Sequence, residues 1–275
     1  MCTLDGCGNK KDLPPIALSE MERRAFIAGA ISLPLATVLA YPDLAHAQAG
    51  NLETLEIDTA GGGKATGVIA MPETTPAPAV VLIHEWWGLN DNIKTVAAEL
   101  ANQGFIAFAI DLYGGEVGTT PDEARALMGQ VDAGAATEEL VATVEFLRNH
   151  EASNGKVGTI GWCFGGGWSL NTSIATPVDA TVIYYGNLNR SAEDLAALEG
   201  PVLGHFGTED ASIDAEMVGN FERNINQAGK NDLLTVHWYT ANHAFANPTG
   251  GRYDEDDAAL AWTRTHAFFV ENLKS

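Results

Sequence analysis

From Leu52 to the C-terminus, short runs of apolar and β-branched residues trade places with longer segments whose apolar positions recur every three or four residues. The short runs predict strands at 52–57, 66–71, 79–84, 105–110, 156–160, 181–185, 202–206 and 233–238. The first two flank Gly61-Gly62-Gly63, a turn that suits an antiparallel opening. The run at 79–84 is apolar at successive positions up to His84, the pattern of a strand buried on both faces of a parallel sheet. Helices are expected over 91–103, 121–132, 134–149, 164–175, 213–228 and 255–272. Asn90 or Asp91 would cap the first, Gly104 ends it, and Pro121 opens the second. This alternation predicts a single α/β domain, a doubly wound, mostly parallel sheet with helices on both faces. In such folds sites collect beyond the C-terminal ends of the strands.

The first 47 residues follow another pattern. A polar stretch runs from Met1 to Glu22, then come Arg23-Arg24-Ala25-Phe26, an apolar run over 27–40, and Ala45-His46-Ala47. The paired arginines resemble a twin-arginine export signal, and the small-x-small triplet places the mature N-terminus near Gln48, leaving a domain at 48–275. The apolar run contains Gly29 and Pro34 and falls short of the roughly 20 residues a spanning helix needs. The reading is therefore a cleaved signal without a stable membrane anchor. It implies the twin-arginine export machinery as a partner and a periplasmic or secreted protein. A start at Met21 would give a signal of ordinary length.

Composition narrows the function. The chain has 275 residues, 46% hydrophobic and 19% charged, which is globular usage. Its formal net charge is -21, a field that repels phosphate backbones, so no nucleic-acid partner is expected. The same field makes any arginine beside a pocket notable. Of the three cysteines, Cys2 and Cys7 leave with the signal and Cys163 remains alone. A lone thiol makes neither an intramolecular disulfide nor a cysteine-rich zinc site, so no metal and no cofactor are anticipated. No helix reads as a long apolar seam, which points to a monomer.

Gly161-Trp162-Cys163-Phe164-Gly165 falls where a strand ends and a helix begins. This is the form of the nucleophile elbow of α/β hydrolases, in which glycines permit a strained turn and the nucleophile stands at a helix N-terminus. In that fold the acid and the histidine follow on loops after later strands. Gly207-Thr208-Glu209-Asp210 and Asn242-His243-Ala244-Phe245 occupy those places, so Asp210 and His243 are the acid and base, with Glu209 as an alternative acid. His46 leaves with the signal, His150 and His266 lie on helices, and His205 and His237 lie inside strands. His84 ends a strand beside Glu85 and belongs to the oxyanion loop.

The chain from about residue 52 onward resembles the dienelactone hydrolase family. The resemblance rests on Glu85-Trp86-Trp87-Gly88-Leu89-Asn90, Asp111-Leu112-Tyr113, the elbow with Gly158 and Gly166, Tyr184-Tyr185-Gly186, Gly207-x-x-Asp210 and His243-Ala244-Phe245. It implies a Cys163, His243, Asp210 triad, an oxyanion hole made by the backbone N–H groups of Phe164 and Trp86, and a Glu85 that pairs with the resting cysteine. A carboxylate beside a thiol would raise its pKa and protect it from oxidation. Founding members of the family carry an arginine four residues after the histidine, where it holds a substrate carboxylate; here that position is Asn247. Arg252 or Arg125 could replace that charge. Trp86, Trp87, Trp162, Phe164, Tyr113 and Phe245 suggest an apolar pocket for an acyl group or lactone ring. The resemblance thus implies hydrolysis of a lactone or carboxylic ester through a thioester on Cys163. The alternatives are a broad carboxylesterase or thioesterase that does not act on dienelactone, and a binding protein without turnover.

Overall fold

In the computed structural model, residues 49–50 and 52–274 are described. The signal reading of 1–47, with Cys2, Cys7 and His46, lies outside the described residues. The eight apolar runs form the strands β1 (Glu53–Asp58), β2 (Lys64–Ala70), β3 (Ala77–Ile83), β4 (Ile106–Asp111), β5 (Ser153–Trp162), β6 (Ala180–Tyr184), β7 (Val202–Gly207) and β8 (Leu234–Tyr239). They join in one sheet of order β1-β2-β4-β3-β5-β6-β7-β8. Strand β2 runs antiparallel to β1 and β4, and the remaining pairs are parallel.

The helices are α1 (Asp91–Asn102), α2 (Pro121–Gln130), α3 (Ala133–Asn149), α4 (Phe164–Ala175), the short α5 (Ala192–Leu195), α6 (Ala215–Gln227) and α7 (Glu255–Leu273). Of the two candidate caps for α1, Asn90 does the work: its side chain accepts the Ile93 N–H. Thr120 and Glu123 form a capping box around Pro121, which needs no N–H partner at the first helical position. Helix α6 starts two residues later than the pattern suggests, because Asp214 takes the cap. Helix α5 has too few residues to carry a period and is held by a Ser191–Asp194 capping box. Strand β5 extends beyond 156–160 at both ends, because Ser153 pairs with Ala77 and Trp162 with Tyr184.

Every residue of β3 is buried. Val80 and Leu82 pack with Val96 and Leu100 of α1 and Phe269 and Leu273 of α7. Ala79, Val81 and Ile83 face the other way, toward Leu140, Val144 and Leu147 of α3 and Trp168 of α4. Truncating one such side chain to alanine costs about 2–5 kcal/mol. From β3 the chain passes to β4 on one side, then returns to β5 on the other. That reversal leaves a crevice beyond the ends of β3 and β5, where ligands bind in open α/β sheets.

Candidate active site

Strand β5 ends at Trp162 and α4 begins at Phe164, so the chain turns from strand to helix across Cys163 alone. Cys163 has φ 54° and ψ -112°, a left-handed conformation that non-glycine residues rarely adopt. The flanking glycines make it achievable. A Cβ on Gly161 would lie 1.9 Å from the Gly165 carbonyl oxygen, and one on Gly165 would lie 2.1 Å from the Ile83 oxygen. The elbow therefore packs backbone against backbone at the end of β3. The thiol is left at the α4 N-terminus, where free N–H groups and the helix dipole favour negative charge.

His243 Nε2 lies 3.1 Å from Cys163 Sγ, and Nδ1 lies 2.7 Å from Asp210 Oδ2. The other Asp210 oxygen accepts the N–H groups of Ser212 at 2.7 Å and Ile213 at 3.0 Å. Burial opposes the charge on Asp210, but His243 and these amides outweigh it and hold the carboxyl below its usual range. Burial also opposes protonation of His243, yet its hydrogen bonds to Asp210 and Cys163 push its pKa up to about 10. At neutral pH the ring carries both protons. The loops bearing Asp210 and His243 are tied together, since Glu209 N–H donates to the Ala241 carbonyl at 3.0 Å. The Glu209 side chain is exposed, and Asp210 alone meets the histidine.

The loop after β3 is pinned from beneath by His84. The Leu112 N–H donates to His84 Nε2 at 3.2 Å, so the proton sits on Nδ1, which donates to the Glu85 carbonyl at 2.6 Å. Burial keeps this ring neutral. Tyr113 does not line the cavity in front of Cys163, contrary to the expectation that it contacts substrate. Its hydroxyl donates to the Trp86 carbonyl at 3.1 Å, and the side chain is buried under the loop. Trp86 and Phe164 both line the cavity, and no acceptor among the described residues takes either backbone N–H.

Glu85 departs from the expected arrangement. Cys163 turns to His243, and Glu85 Oε2 instead accepts from Asn247 Nδ2 at 2.5 Å. Only 6% of Glu85 is exposed, and burial pushes its pKa up to about 7 against the pull of His243 and Asn247. Asn247 thus engages the loop carboxylate with its amide while also facing the cavity.

The cavity has a volume of about 930 Å³. Trp87 lines it, as do both anticipated arginines. Arg125 is more than half exposed and bound to Asp122 at 2.6 Å. Arg252 is half-buried and closes no ion pair with a described residue. A third arginine escaped the sequence reading. Arg190 reaches the cavity from the loop after β6, where Nε donates to Asn171 Oδ1 at 2.7 Å and Nη1 to the Asn189 carbonyl at 2.6 Å. Its one available signal was position: Asn187-Leu188-Asn189-Arg190 is a polar stretch just past a strand's C-terminal end. Among the described residues no cluster of histidine, cysteine and carboxylate side chains suits a metal.

An eight-stranded, mostly parallel sheet, with an elbow after β5, an acid after β7 and a histidine after β8, defines an α/β-hydrolase fold. Within that class the chain belongs to the dienelactone hydrolase family, whose sequence profile matches residues 65–273. It is similar to a carboxymethylenebutenolidase of Pseudomonas putida, with 31% identity over 79% of this chain and 96% of that one. A carboxymethylenebutenolidase of Cupriavidus pinatubonensis is 28% identical over 77% of this chain and 93% of its own. Among solved structures, a dienelactone hydrolase-like promiscuous phosphotriesterase from metagenomic libraries superposes with a TM-score of 0.72 at 26% identity. It covers 81% of this chain and 99% of its own.

Proposed function

We propose that this protein hydrolyses a carboxylic ester or lactone bearing a carboxylate, through a thioester on Cys163. The observation that carries the reading is the hydrogen-bonded line Cys163–His243–Asp210 on the wall of a cavity beyond the strand ends. The Cys163 sulfur attacks the carbonyl carbon as the thiolate, and the carbonyl oxygen becomes an oxyanion met by the N–H groups of Phe164 and Trp86. The carbon–oxygen bond to the leaving group breaks, and that oxygen takes the Nε2 proton of His243. The ring, now neutral, accepts a proton from water as the water oxygen attacks the thioester. The second tetrahedral adduct expels the sulfur and releases the acid. Asp210 keeps Nδ1 protonated throughout and balances the charge on the ring.

The family and the carboxymethylenebutenolidase relatives support an ester or lactone bond. The cavity supports the anion: half of the six described arginines line it, in a protein of net charge -21. Arg190 and Arg252 supply positive charge that Asn247 lacks. A second reading, a broad esterase for uncharged substrates, draws on the engagement of Asn247 with Glu85. Rates on a dienelactone, a short aryl ester and a carboxylate-free lactone, each with Cys163→Ala beside the natural protein, separate the two. Cysteine-dependent dienelactone turnover is the expected result. Turnover of the aryl ester alone would favour the broad esterase, and cysteine-independent turnover would sink the thioester.

We further read residues 1–47 as a twin-arginine signal and the remainder as an exported monomer. Arg23-Arg24 and Ala45-His46-Ala47 support the export signal. N-terminal sequencing of periplasmic protein should begin at Gln48; protein found only in the cytoplasm with its leader intact would contradict export.

A further inference from the structure

Behind the Glu85–Asn247 hydrogen bond lies a second cavity of about 370 Å³, within the usual range of about 300–1,000 Å³ for small-molecule sites. Val96 of α1 and Ala258 and Trp262 of α7 wall it, together with Trp162, the residue directly before Cys163. Three residues, Glu85, Tyr185 and Asn247, line both this cavity and the one in front of Cys163. They form the partition between the two. The Glu85 carboxylate and the Asn247 amide close it by a single side-chain bond. At the same partition the Tyr185 hydroxyl is buried beside the Ala246 backbone N–H, and no acceptor among the described residues takes its own hydrogen. It lies near enough for the Glu85 charge to act on it, a donor available to that carboxylate once Asn247 releases it.

We propose that the second cavity receives the apolar acyl chain of the substrate, which enters when Glu85 and Asn247 part while the carbonyl is held at Cys163. The inference rests on the thioester reading above. The acyl group is the portion that stays bonded to Sγ after the leaving oxygen departs, so it needs a seat for the whole cycle. Trp162 supplies the link, since it precedes the nucleophile and forms part of that seat. The arginine-lined cavity is left to the leaving group and to any charged end of the substrate.

The test is a series of 4-nitrophenyl esters from acetate to octanoate, with the leaving group constant. For the natural protein, kcat/KM is expected to rise with chain length at up to about fourfold per methylene, giving a hexanoate rate more than about tenfold above acetate. Ala258→Leu and Ala259→Trp fill the second cavity, and neither position lines the first. Each should leave acetate hydrolysis within about twofold and cut the hexanoate-to-acetate ratio by about fivefold or more, as lost methylene burial requires. Ala259 is exposed, so its variant guards against a failure to fold. A flat series in the natural protein, or variants that lower acetate and hexanoate in proportion, would overturn the proposal. Calorimetry on Cys163→Ala decides the cavity separately from the chemistry. Tighter binding of the hexanoate ester than of the acetate ester, lost when Ala258→Leu is added, supports it, and equal binding refutes it. Whether hydrolysis depends on Cys163 at all tests the thioester alone.

Discussion

His243, above the strand ends, and His205, inside β7, are both enclosed and both hydrogen-bonded through each ring nitrogen, yet they hold opposite charge states. His205 meets the Tyr239 hydroxyl at 2.8 Å and Thr265 Oγ1 at 3.0 Å. Arg264 donates to the Tyr239 oxygen, so that hydroxyl directs its hydrogen to His205 Nδ1, and the imidazole proton lies on Nε2. Burial, with His237 and Arg264 adding to it, holds His205 neutral far below its ordinary pKa. His243 faces a carboxylate and a sulfur in place of two hydroxyls and stays protonated. Burial by itself does not set the charge of a histidine here. What sets it is whether a partner is anionic, which separates the reactive region from a structural polar network a few strands' width away.

Replacing each ring in turn gives the largest contrast. His243→Gln should lower kcat/KM by about 10³-fold or more, as loss of a triad base does. His205→Gln should leave kcat within a few-fold and cost about 1–3 kcal/mol of stability for buried hydroxyls left without partners. Equal losses of activity in the two would show that the network of β7 and β8 is part of the catalytic machinery.

Asp210→Asn comes next. It should reduce kcat by about 10²–10⁴-fold and return the His243 pKa from about 10 toward 6.5, read by NMR titration of the ring. The stability that protonated His243 contributes is complete below pH 6.5 and is lost as pH rises toward 10, so the Asn variant should show a flatter alkaline limb in urea melts. His205 acts in the opposite sense. Its neutral ring makes stability fall as pH drops below 6.5, and His205→Gln should remove that fall.

Glu85→Gln sharpens the contrast for a carboxylate. Its folded pKa of about 7 lies above the ordinary 4.5, so its stabilising share is complete below pH 4.5 and is lost as pH climbs to 7. At pH 8 the Gln variant should exceed the natural protein by about 3 kcal/mol, with no difference at pH 4. An equal gap at both pH values would mean that Glu85 stays charged or is not desolvated. The smallest effect belongs to Arg190→Ala, expected to raise KM for a carboxylated ester about tenfold, the scale of one charge-assisted contact, and to leave an uncharged ester unaffected. Equal changes in both would remove Arg190 from anion recognition.

The strand and helix order was legible in the chain because each run is local, as β3 shows: its unbroken apolar string is buried on both faces. The elbow was legible for the same reason, since glycines at 161 and 165 are needed by backbones that nearly touch. Chain order then led to Asp210 and His243. The roles of Tyr113 and Glu85 were not legible. Residue type suggested a pocket aromatic and a cysteine partner, whereas packing turns the Tyr113 hydroxyl to the Trp86 carbonyl and the Glu85 carboxylate to Asn247.

Periodicity, capping and close glycine approach act within a few residues or along one turn, and through them the amino-acid order alone specifies an α/β hydrolase with a cysteine elbow. Glu85 and Asn247 stand 162 positions apart, and Arg190 enters the cavity from a loop that shares no motif with the elbow. Only the folded sheet, by bringing the loops after β3, β6 and β8 around one strand end, decided that these side chains meet. It decided as well that a second cavity lies behind them, because the space between α1 and α7 exists only once both have packed on the same face.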